Sequence, residues 1–531
     1  MFPLLLPSLA LPAFGALVLA IPFLLGINIG RKACGAISTL FLLISTLLLA
    51  YAGIYVLKTG TPIREYYHIP IMTFRGELDL FADGLSLPIA LLISLLSTLS
   101  SLYSIQYMDK IEIVHFREIK RNVYYSVAYK EALFWPEYVP RRKSPTEVPS
   151  IEAYYINLLL FAMSMLGIVL STNLIHFLIF YEFVTVPTAL LVYIWGSGPC
   201  RLIAIKYFIY MLVGGALVMV AIAWIYAVTG CIDILCLYPS LEKIHGMTLI
   251  SISVLLLVGF GMKAALFPLH TWLSDFHSEA PAPVSALLSG VLIKCGAYGV
   301  LRIACPCIIP VITQLDVPLL YLALITAVWG AFMAVMQRQI KRILAYSSIN
   351  QIGYIIMGIA SGNPTGMLGA MLHIINHGVG KALLFLSAGA ITHATGSRNV
   401  DELGGLGGRM PVTASTMLIG GLSLAGVPPL AGFMSEWLIF LGIIRSGHIY
   451  IAVLGLITTI FTMGYYLWAI RRIFFQKPKK DLKNVSEAPA IMLVALIIES
   501  LLVIALGVYP QPAVKLFSIY LNEIKQITGG L

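Results

Sequence analysis

The chain has 531 residues, of which 59% are hydrophobic and only 11% are charged. Because an average soluble protein carries about 25% charged residues, this composition excludes a water-soluble globule and a disordered chain. In a chain this apolar, the excess of Lys and Arg behind the net charge of +10 indicates which loops face the cytoplasm. It does not indicate binding to nucleic acid.

Fourteen apolar runs are long enough to cross a bilayer, for which an α-helix needs about 20 residues. The sequence therefore predicts an all-α polytopic membrane protein. We number the predicted spans 1 to 14 in chain order, with approximate bounds 3–25, 33–57, 82–108, 154–171, 173–195, 202–228, 249–272, 283–303, 317–336, 342–361, 366–393, 411–444, 449–475 and 489–509. The tail from Pro512 to Ile527 is amphipathic and is predicted to lie on the surface.

The distribution of basic residues predicts the orientation of the spans. When basic residues at the ends of spans 8, 10 and 13 are counted with the adjacent loops, loops that follow odd-numbered spans hold 22 of the 34 Lys and Arg residues. Loops that follow even-numbered spans, together with the termini, hold 8. The remaining 4 lie inside spans. By the positive-inside rule, the odd-numbered loops are cytoplasmic and both termini are outside. The first basic residue is Arg31, so we expect the first run to be a retained span rather than a signal peptide.

Proline residues interrupt two of the predicted spans. Pro268 lies inside span 7, in GFGMKAALFPLH, and Pro428 and Pro429 lie inside span 12, in SLAGVPPLAGFMSE. Because proline lacks a backbone donor and clashes with the preceding turn, both helices should break. The breaks lie five spans apart. Because five is an odd number of membrane crossings, a second block of five helices in tandem has the opposite orientation in the membrane. We therefore predict two inverted five-helix repeats, spans 4–8 and 9–13, each with a discontinuous helix.

These observations divide the chain into five predicted parts. They are spans 1–3 in 1–108, a cytoplasmic insertion loop in 109–153, the first inverted repeat in 154–303, the second in 317–475, and span 14 with the tail in 476–531. The loop is charged and rich in aromatic residues. Three interpretations of it remain open: packing on its own protein, docking of a partner subunit, or contact with lipid headgroups through Arg141, Arg142 and Lys143.

Ionisable side chains inside the spans are the main functional signal. On insertion scales, a charge at the centre of a spanning helix costs about 2.5–3.5 kcal/mol, so such residues usually have a role. The acids and amines within spans are Glu182, Lys206, Lys263, Lys294, Lys381, Glu436 and Glu499. All of these except Glu499, whose role stays open, are predicted to take part in proton translocation. Lys206 is near the start of span 6, so its amine could also reach the surface.

A row of titratable residues follows one face of span 11. His373, His377 and Lys381 are four residues apart and cover roughly 12 Å of the helix axis, with Asn376 beside them. Imidazole exchanges protons near neutral pH, and an amine withdrawn from water can do the same. The row therefore indicates a hydrated proton path, joined to Lys294 on one side and to Glu436 on the other.

Nucleotide- and metal-binding motifs are missing from the sequence. There is no Walker loop, no dinucleotide fingerprint and no metal-ligand cluster, so we expect neither a cofactor nor a metal. The seven cysteines include no CxxC pair and are interpreted as mostly membrane-buried small hydrophobic residues.

Eight segments make this chain similar to the antiporter-like proton-translocating subunits shared by respiratory complex I, Mrp-type cation/proton antiporters and archaeal membrane-bound hydrogenases. They are FADGLSLP (81–88), YSIQYM (103–108), FYEFVTVPTALLV (180–192), IAIKYFIY (203–210), KAALFPLHTWLSDFHSEAPAPVSALLSGVLIKCGAYGVLR (263–302), KRILAYSSINQIGY (341–354), HIINHGVGKALLFLSAGAI (373–391) and GVPPLAGFMSEW (426–437). The resemblance implies fourteen helices, inverted repeats, two broken helices and a central polar axis that conducts protons.

The resemblance also implies roles for residues of the first half. Glu182 matches the span 5 glutamate that pairs electrostatically with the lysine of broken span 7, here Lys263. Lys294 matches the span 8 lysine that joins the two half-channels. Ser274 and Phe276 depart from the pattern, because relatives usually have Pro and Ala at these positions.

In the second half, the resemblance makes His377 and Lys381 the proton relay. Glu436 takes the terminal position beyond the span 12 break, which is Lys in some relatives and Glu in others. The loop 109–153 is longer than is usual in the family, which indicates a partner that not all relatives share.

We therefore expect a proton-translocating subunit of a multisubunit, redox-driven pump in the cell membrane, with Na⁺ coupling left open. Its partners would be related antiporter-like subunits, a redox module that holds the redox centres, and the lipid bilayer. Three alternatives remain: a subunit of a Mrp-type Na⁺/H⁺ antiporter without a redox partner, an independent solute transporter, and a non-conducting structural subunit.

Overall fold

The computed structural model of the chain describes residues 3–27, 29–68, 77–110, 150–241, 244, 246–308, 311–477, 482 and 485–528. Among these residues, thirteen helices are long and apolar enough to cross a membrane. They are Leu5–Leu24, Arg31–Thr59, Ser86–Tyr107, Ile151–Leu170, Leu174–Trp195, Cys200–Thr229, Met247–Ala264, Ala282–Ile308, Leu315–Met336, Ile340–Ala360, Pro364–Thr395, Ile449–Phe475 and Ala490–Val508. They correspond to spans 1–11, 13 and 14, so the predicted all-α polytopic fold is confirmed.

Span 12 consists of two shorter helices, Pro411–Leu424 and Ala431–Arg445. Each of these two helices is too short to cross a bilayer alone. The fourteen predicted spans therefore correspond to thirteen long helices and this divided one. Span 5 also consists of two consecutive helices, Leu174–Phe183 and Thr185–Trp195. Span 8 includes two π-helical segments, Leu288–Leu292 and Val300–Ala304.

The breaks in spans 7 and 12 have the same layout. Span 7 stops at Ala264, Ala265 takes a left-handed conformation with φ 60°, and a short helix Leu273–Glu279 follows. Span 12 stops at Leu424, and Gly426 takes the left-handed conformation with φ +69°. A left-handed alanine is uncommon and costs energy, whereas glycine adopts this conformation readily. The parallel breaks agree with inverted repeats in 154–303 and 317–475, whose exact division stays a prediction.

Local sequence signals fix both ends of span 11, the helix with the titratable row. Asn363 caps its N-terminus by accepting a hydrogen bond from the backbone of Gly366 at 3.0 Å, and Pro364 occupies the first helical position. Gly396 ends the helix in the left-handed conformation. The apolar run between these signals therefore forms one continuous helix of 32 residues.

Spans 8, 10 and 11 form the centre of the bundle. The most apolar stretches of spans 8 and 11 are completely buried and that of span 10 is nearly so, whereas fewer than half of the residues in the same stretches of spans 1, 2, 6, 13 and 14 are buried. Spans 8 and 11 approach closely where Gly290 faces Gly378, because a Cβ on Gly378 would lie 2.9 Å from Gly290 O. The polar residues of these spans are therefore kept away from lipid.

A two-stranded antiparallel hairpin, Ile63–His68 and Glu77–Ala82, lies between spans 2 and 3. Arg64 on the hairpin pairs with Asp79 and, at 2.9 Å, with Asp233 in the loop after span 6. That loop contains the short helices Ile234–Cys236 and Leu237–Leu241. The pair with Asp233 joins the hairpin to the loop after span 6.

The expectation for the cysteines is confirmed at five positions and wrong at two. Cys34, Cys200, Cys295, Cys305 and Cys307 are free and buried. Cys231 and Cys236 form a disulfide, with Cα atoms 6.4 Å apart. The pattern of spans did not reveal this pair, because both residues lie in a loop that folds back within five residues.

The amphipathic tail forms the helix Gln511–Thr528. It packs against the start of span 3 so closely that Leu516 O leaves no room for a Cβ on Gly84. Nearby, Arg302 pairs with Asp83 at 2.6 Å inside the protein. Burial, together with the charge of Asp83, raises the pKa of Glu523 to about 7. The loop prediction at 109–153 falls outside the described residues except for its first two and last four positions.

Candidate functional site

Lys263 lies where the first part of span 7 ends, next to the interrupted span 5. The side chain is buried, and its Nζ donates a hydrogen bond to Tyr181 O at 2.5 Å. The same nitrogen lies 3.4 Å from the centroid of the Tyr181 ring. A cation–π contact of this kind contributes about 0.5–2 kcal/mol. The break in span 7 therefore places an amine against the end of the helix Leu174–Phe183.

Glu182 follows Tyr181 and interacts electrostatically with Lys263. A Cβ on Gly215 of span 6 would overlap with Glu182 Oε1, so a larger residue there would displace this carboxylate. Within the described part of the chain, Glu182 Oε1 has no hydrogen-bond partner. This oxygen therefore packs against a glycine of span 6.

Lys294 lies in the centre of the bundle, two residues after the π-helical segment Leu288–Leu292. Its Nζ donates to Ser289 O, and Ser289 Oγ forms a hydrogen bond of 2.7 Å with Ser348 Oγ of span 10. π-Helical turns are frequent at functional sites because they shift the side chains that follow. Here the irregular turn directs an amine towards spans 10 and 11.

Electrostatic interactions connect Lys294 with the row on span 11. They reach His373, His377 and Lys381, all of which are completely buried. The next residue, Cys295, is a free and buried cysteine. Lys294 is thus the amine of span 8 that interacts with the span 11 row.

Lys381 donates hydrogen bonds to three oxygen atoms in a wholly buried position. The acceptors are Leu344 O at 2.9 Å, Tyr466 OH at 3.0 Å and Ser347 Oγ. Tyr466 OH also donates to Ser347 Oγ at 3.1 Å. Lys381 thus has one acceptor for each of the three protons that an ammonium group can donate.

The two histidines of span 11 stack with ring centroids 5.8 Å apart and planes 4° apart. His373 Nδ1 is 2.9 Å from Ser435 Oγ, and its Nε2 is 2.7 Å from Gln351 Oε1. By contrast, neither ring nitrogen of His377 has a hydrogen-bond partner among the described residues. His377 therefore has two unused bonding positions halfway between His373 and Lys381.

Glu436 lies near the end of the row, beyond the break in span 12. The side chain is buried and interacts with Gln351, the same residue that contacts His373. A Cβ on Gly426 would lie 2.6 Å from Glu436 Oε2. Both acids of the predicted site, Glu182 and Glu436, thus rest against a glycine.

Lys206 is separate from this central set. Its Nζ donates to Thr271 O and to Asp275 Oδ2, both at 2.9 Å, and the side chain is 37% exposed. Arg342 approaches the other oxygen of Asp275 at 3.6 Å. The structure therefore places Lys206 in a surface ion-pair network at the span 7–8 connection, as its position near a helix end allowed.

The sequence interpretation missed His277, which is completely buried in the span 7–8 connection. Its ring stacks on Phe385 with centroids 4.7 Å apart, and it interacts electrostatically with Lys294 and Lys381. Neither ring nitrogen has a hydrogen-bond partner in the described part of the chain. Only residues inside spans were considered as proton carriers, although His277 lies within the segment 263–302 that supports the family resemblance.

Three further polar residues of the site were not predicted. Gln351 joins His373 to the region of Glu436, Ser435 accompanies His373, and Tyr466 contacts Lys381. Gln351 lies in KRILAYSSINQIGY, directly after Asn350, where a helix face too polar for lipid is a usable signal.

The arrangement is suited to moving protons rather than to binding a cofactor. It consists of buried amines, imidazoles and carboxyls linked by hydroxyl and amide groups, with unused bonding positions on His377. Across the described residues, no group of three or more His, Cys, Asp or Glu side chains is placed to hold a metal ion. The chemistry that this set supports is the stepwise transfer of protons between neighbouring bases.

Comparison with known proteins gives the class. Residues 171–462 match the family described as "NADH:quinone oxidoreductase/Mrp antiporter, TM". This match covers more than half of the chain, which therefore belongs to that family of multi-pass membrane proteins.

Individual relatives come from several kinds of complex. The chain is 31% identical over 395 residues to F(420)H(2) dehydrogenase subunit M of Methanosarcina mazei, covering 72% of this chain and 79% of that one. It is 32% identical over 504 residues to a Na(+)/H(+) antiporter subunit of Alkalihalophilus pseudofirmus, covering 88% of this chain and 57% of the longer relative.

A solved structure shows the same fold over nearly the whole chain. A chain of the archaeal membrane-bound sulfane sulfur reductase, a respiratory membrane complex, superposes with a TM-score of 0.81 and 26% identity. The superposition covers 97% of this chain and 77% of that one.

Proposed function

We propose that this chain is a proton-translocating membrane subunit of a multisubunit, redox-driven ion pump. The observation that carries the proposal is a set of seven ionisable side chains inside the spans: Lys263, Lys294, His373, His377, Lys381 and Glu436 are buried, and Glu182 is half-buried. Burying so many ionisable groups in the centre of a membrane bundle is costly, and ion pairs for stability alone rarely offset that cost. A path for protons accounts for all of them together.

The protons move in steps in this proposal. Lys263 exchanges its proton with Lys294, and the carboxylate of Glu182 stabilises Lys263 while that amine is charged. Lys294 then exchanges with the row His377, His373 and Lys381, and Glu436 is the terminal acid. Because the side chains are farther apart than hydrogen-bond reach at several steps, waters bridge the remaining gaps.

The names of two similar proteins support redox coupling. F(420)H(2) dehydrogenase and sulfane sulfur reductase are named for redox reactions, and the chain resembles a membrane subunit of each complex. The redox centres would then lie in other subunits, and this chain would contribute ion translocation. Its partners would be further membrane subunits, including related antiporter-like ones, in the cell membrane.

A subunit of a Mrp-type Na⁺/H⁺ antiporter is the second candidate. The match to the Na(+)/H(+) antiporter subunit of Alkalihalophilus pseudofirmus covers 88% of this chain, more than the match to the dehydrogenase subunit. The same buried set would serve an antiporter, because a proton path is needed in both kinds of complex. Only the partners and the second transported ion would differ.

Purification of the intact complex in mild detergent tests the choice between them. We expect this chain to co-purify with hydrophilic subunits that carry iron–sulfur or flavin absorbance. When an electron donor is added to vesicles that contain the complex, the solution on one side of the vesicle membrane should become more acidic. Co-purification with small hydrophobic membrane subunits alone, together with Na⁺-driven proton exchange without a donor, would favour the antiporter and contradict the main proposal.

We also propose that both termini lie outside and that the loop 109–153 is cytoplasmic. The disulfide between Cys231 and Cys236 supports this orientation, because it lies in the loop after span 6, which the charge distribution places outside. Protease added to inside-out vesicles should cut within 109–153, whereas right-side-out vesicles should protect it.

A thiol reagent provides the matched control for this orientation. After mild reduction, Cys231 and Cys236 should react with an impermeant reagent from the outside only. Cleavage of the loop from the outside, or thiol labelling from the inside, would overturn the whole topology.

A further inference from the structure

A cluster of arginines lies where span 13 ends, on the side of the bundle that the charge distribution places in the cytoplasm. Span 13 finishes in the π-helical segment Arg471–Phe475, and Arg338 lies in the short connection between spans 9 and 10. The guanidinium carbons of Arg338 and Arg472 each lie 5.0 Å from the centre of the Trp468 ring. Two cationic groups therefore lie beside one tryptophan at the surface.

The positive charge of this cluster is only partly compensated. Asp401 accepts a hydrogen bond from Arg472, and its other oxygen is 3.9 Å from Arg338 Nε. The adjacent acid, Glu402, accepts a hydrogen bond from Ser397 Oγ at 2.6 Å. The two arginines therefore share the carboxylate of Asp401.

Arg471 adds a third guanidinium group beside an open cavity. The cavity has a volume of about 420 Å³ and is lined by Leu467, Trp468, Arg471, Arg472 and Gln476. Arg471 is exposed and has no ion pair with any described residue. A guanidinium group presents its N–H donors in a planar fork that matches the oxygens of a phosphate. The cavity thus offers room for a phosphate group next to a cation that no described acid neutralises.

The glycine-rich turn at 404–408 fixes the backbone at the end of span 13. Gly407 N donates a hydrogen bond to Phe474 O at 3.0 Å. A Cβ on Gly404 would lie 2.7 Å from Lys477 O, so the turn passes directly against the chain that follows the π-helical segment. Because these contacts satisfy a carbonyl at the end of the helix, the arginines project from a fixed backbone rather than from a free helix end.

Exposed apolar side chains of spans 9 and 13 continue from the cavity towards the middle of the membrane. The two spans pack against each other, with the ring centroids of Phe332 and Phe461 5.0 Å apart. Exposed residues are Phe332 and Met336 on span 9 and Met463 and Leu467 on span 13. Residues four apart lie on the same face of a helix, so each pair forms an apolar stripe that ends near the arginines.

We propose that the end of span 13 binds an anionic lipid of the cytoplasmic leaflet. The lipid phosphate lies between Arg471 and Arg472, and an acyl chain follows the apolar stripes of spans 9 and 13. A dissolved phosphate compound or an acidic peptide would be recognised without apolar stripes that continue into the membrane. Trp468 suits the position, because tryptophan is enriched where a membrane meets water. Basic pockets between spans on the cytoplasmic side attract anionic headgroups.

Fluorescence quenching by brominated lipids tests the site in the purified complex. Bromine quenches a tryptophan only at close contact, and the emission of wild type minus that of Trp468→Phe isolates the signal of Trp468. The complex is placed in phosphatidylcholine vesicles that also contain either phosphatidylglycerol or phosphatidylcholine with brominated acyl chains. We expect the brominated phosphatidylglycerol to quench Trp468 at a lower mole fraction than the brominated phosphatidylcholine.

Two arginine variants, each compared with its own Trp468→Phe form, assign this preference to the cavity. Arg471→Gln should raise the mole fraction of phosphatidylglycerol needed for half-quenching about fivefold, the factor expected for one arginine beside anionic lipid. This variant should fold, because Arg471 forms no ion pair with a described residue. Arg201→Gln is the matched control at the start of span 6, where the guanidinium carbon lies 5.4 Å from the centre of the Tyr193 ring. It should leave the preference unchanged.

Three outcomes would overturn the lipid site. Equal quenching by the two brominated lipids would show that the headgroup charge is not recognised. Dissolved glycerol phosphate that removes the preference as effectively as unbrominated phosphatidylglycerol would identify a free phosphate compound as the ligand. Quenching by neither lipid, with a cross-link from Arg471→Cys to another subunit, would show that a protein partner covers the cavity. Because none of these measurements involves transport, the lipid site can fail while the proposed function stands, and the reverse.

Discussion

A chain with both His377→Ala and Lys381→Ala is expected to lose proton movement almost completely while the complex still assembles. Removal of a positioned proton-transfer group usually lowers a rate by about 10²–10⁴-fold, and here two consecutive carriers are removed. Lys294 would face a gap in the row, with His373 as the nearest remaining base. The measurement is the rate of acidification in vesicles that contain the purified complex.

Assembly should survive because the partners of Lys381 can satisfy each other. Ser347 Oγ and Tyr466 OH are already 3.1 Å apart and hydrogen-bonded. His377 makes no hydrogen bond to a described residue, so its removal leaves no new unpaired group of this kind. The variant should therefore fold, at a cost set mainly by the two small cavities it creates.

Two control variants sharpen this test. Ser387→Ala changes a buried residue of the same helix, whose hydroxyl bonds to Thr416 at 3.2 Å outside the row, and should pump normally. Lys381→Arg keeps the positive charge but not the ability to release a proton, so it should be nearly as slow as the double variant. Continued pumping by the double variant would mean that protons take another route.

Spacing along one helix was sufficient to predict the row on span 11. His373, His377 and Lys381 lie on one face of a continuous helix, as the interval of four residues indicated, and this face points into the bundle. In the structure, Ser347 of span 10 contacts Lys381, and Gln351 of the same span contacts His373. The contact with Gln351 was not predicted, because it depends on how spans 10 and 11 pack.

For the broken helices, too, one feature could be predicted from the sequence and another could not. Proline predicted that spans 7 and 12 would be interrupted, since its ring cannot continue a helix. The left-handed conformation of Ala265 was not predictable, because alanine has no preference for it. It follows from the tertiary packing that sets the end of span 7 against Tyr181.

Glycines beside the acids were also beyond prediction from one sequence. Gly215 is one of many small residues on span 6, and nothing in the order of residues marks it as the neighbour of Glu182. Likewise, His277 enters the centre only because the span 7–8 connection folds back into the bundle. Such residues are defined by contacts between distant segments rather than by local patterns.

Lys263→Ala is expected to abolish most of the proton pumping, again by about 10²-fold or more, while assembly is largely retained. Lys263 is the buried amine that interacts electrostatically with Glu182 beside the break in span 7, and in the proposed path it exchanges its proton with Lys294. Without Lys263, a proton that moves through the first half of the proposed path is not accepted by an amine beside the break in span 7. The measurement is again acidification of vesicles, compared with the amount of assembled complex.

Two substitutions show whether the loss comes from the pair rather than from packing. Ser253→Ala changes a buried residue of the same helix, whose hydroxyl bonds only to Leu249 O among the described residues, and should pump at the normal rate. Gly215→Ala keeps Lys263 but forces Glu182 Oε1 to move, because the new Cβ would overlap with it. We expect this variant to pump more slowly than wild type and faster than Lys263→Ala, since the displaced carboxylate still interacts with the amine over a longer distance. If Lys263→Ala pumps normally, Glu182 and Lys263 do not form the first-half pair, and the amine held over Tyr181 is a structural contact only.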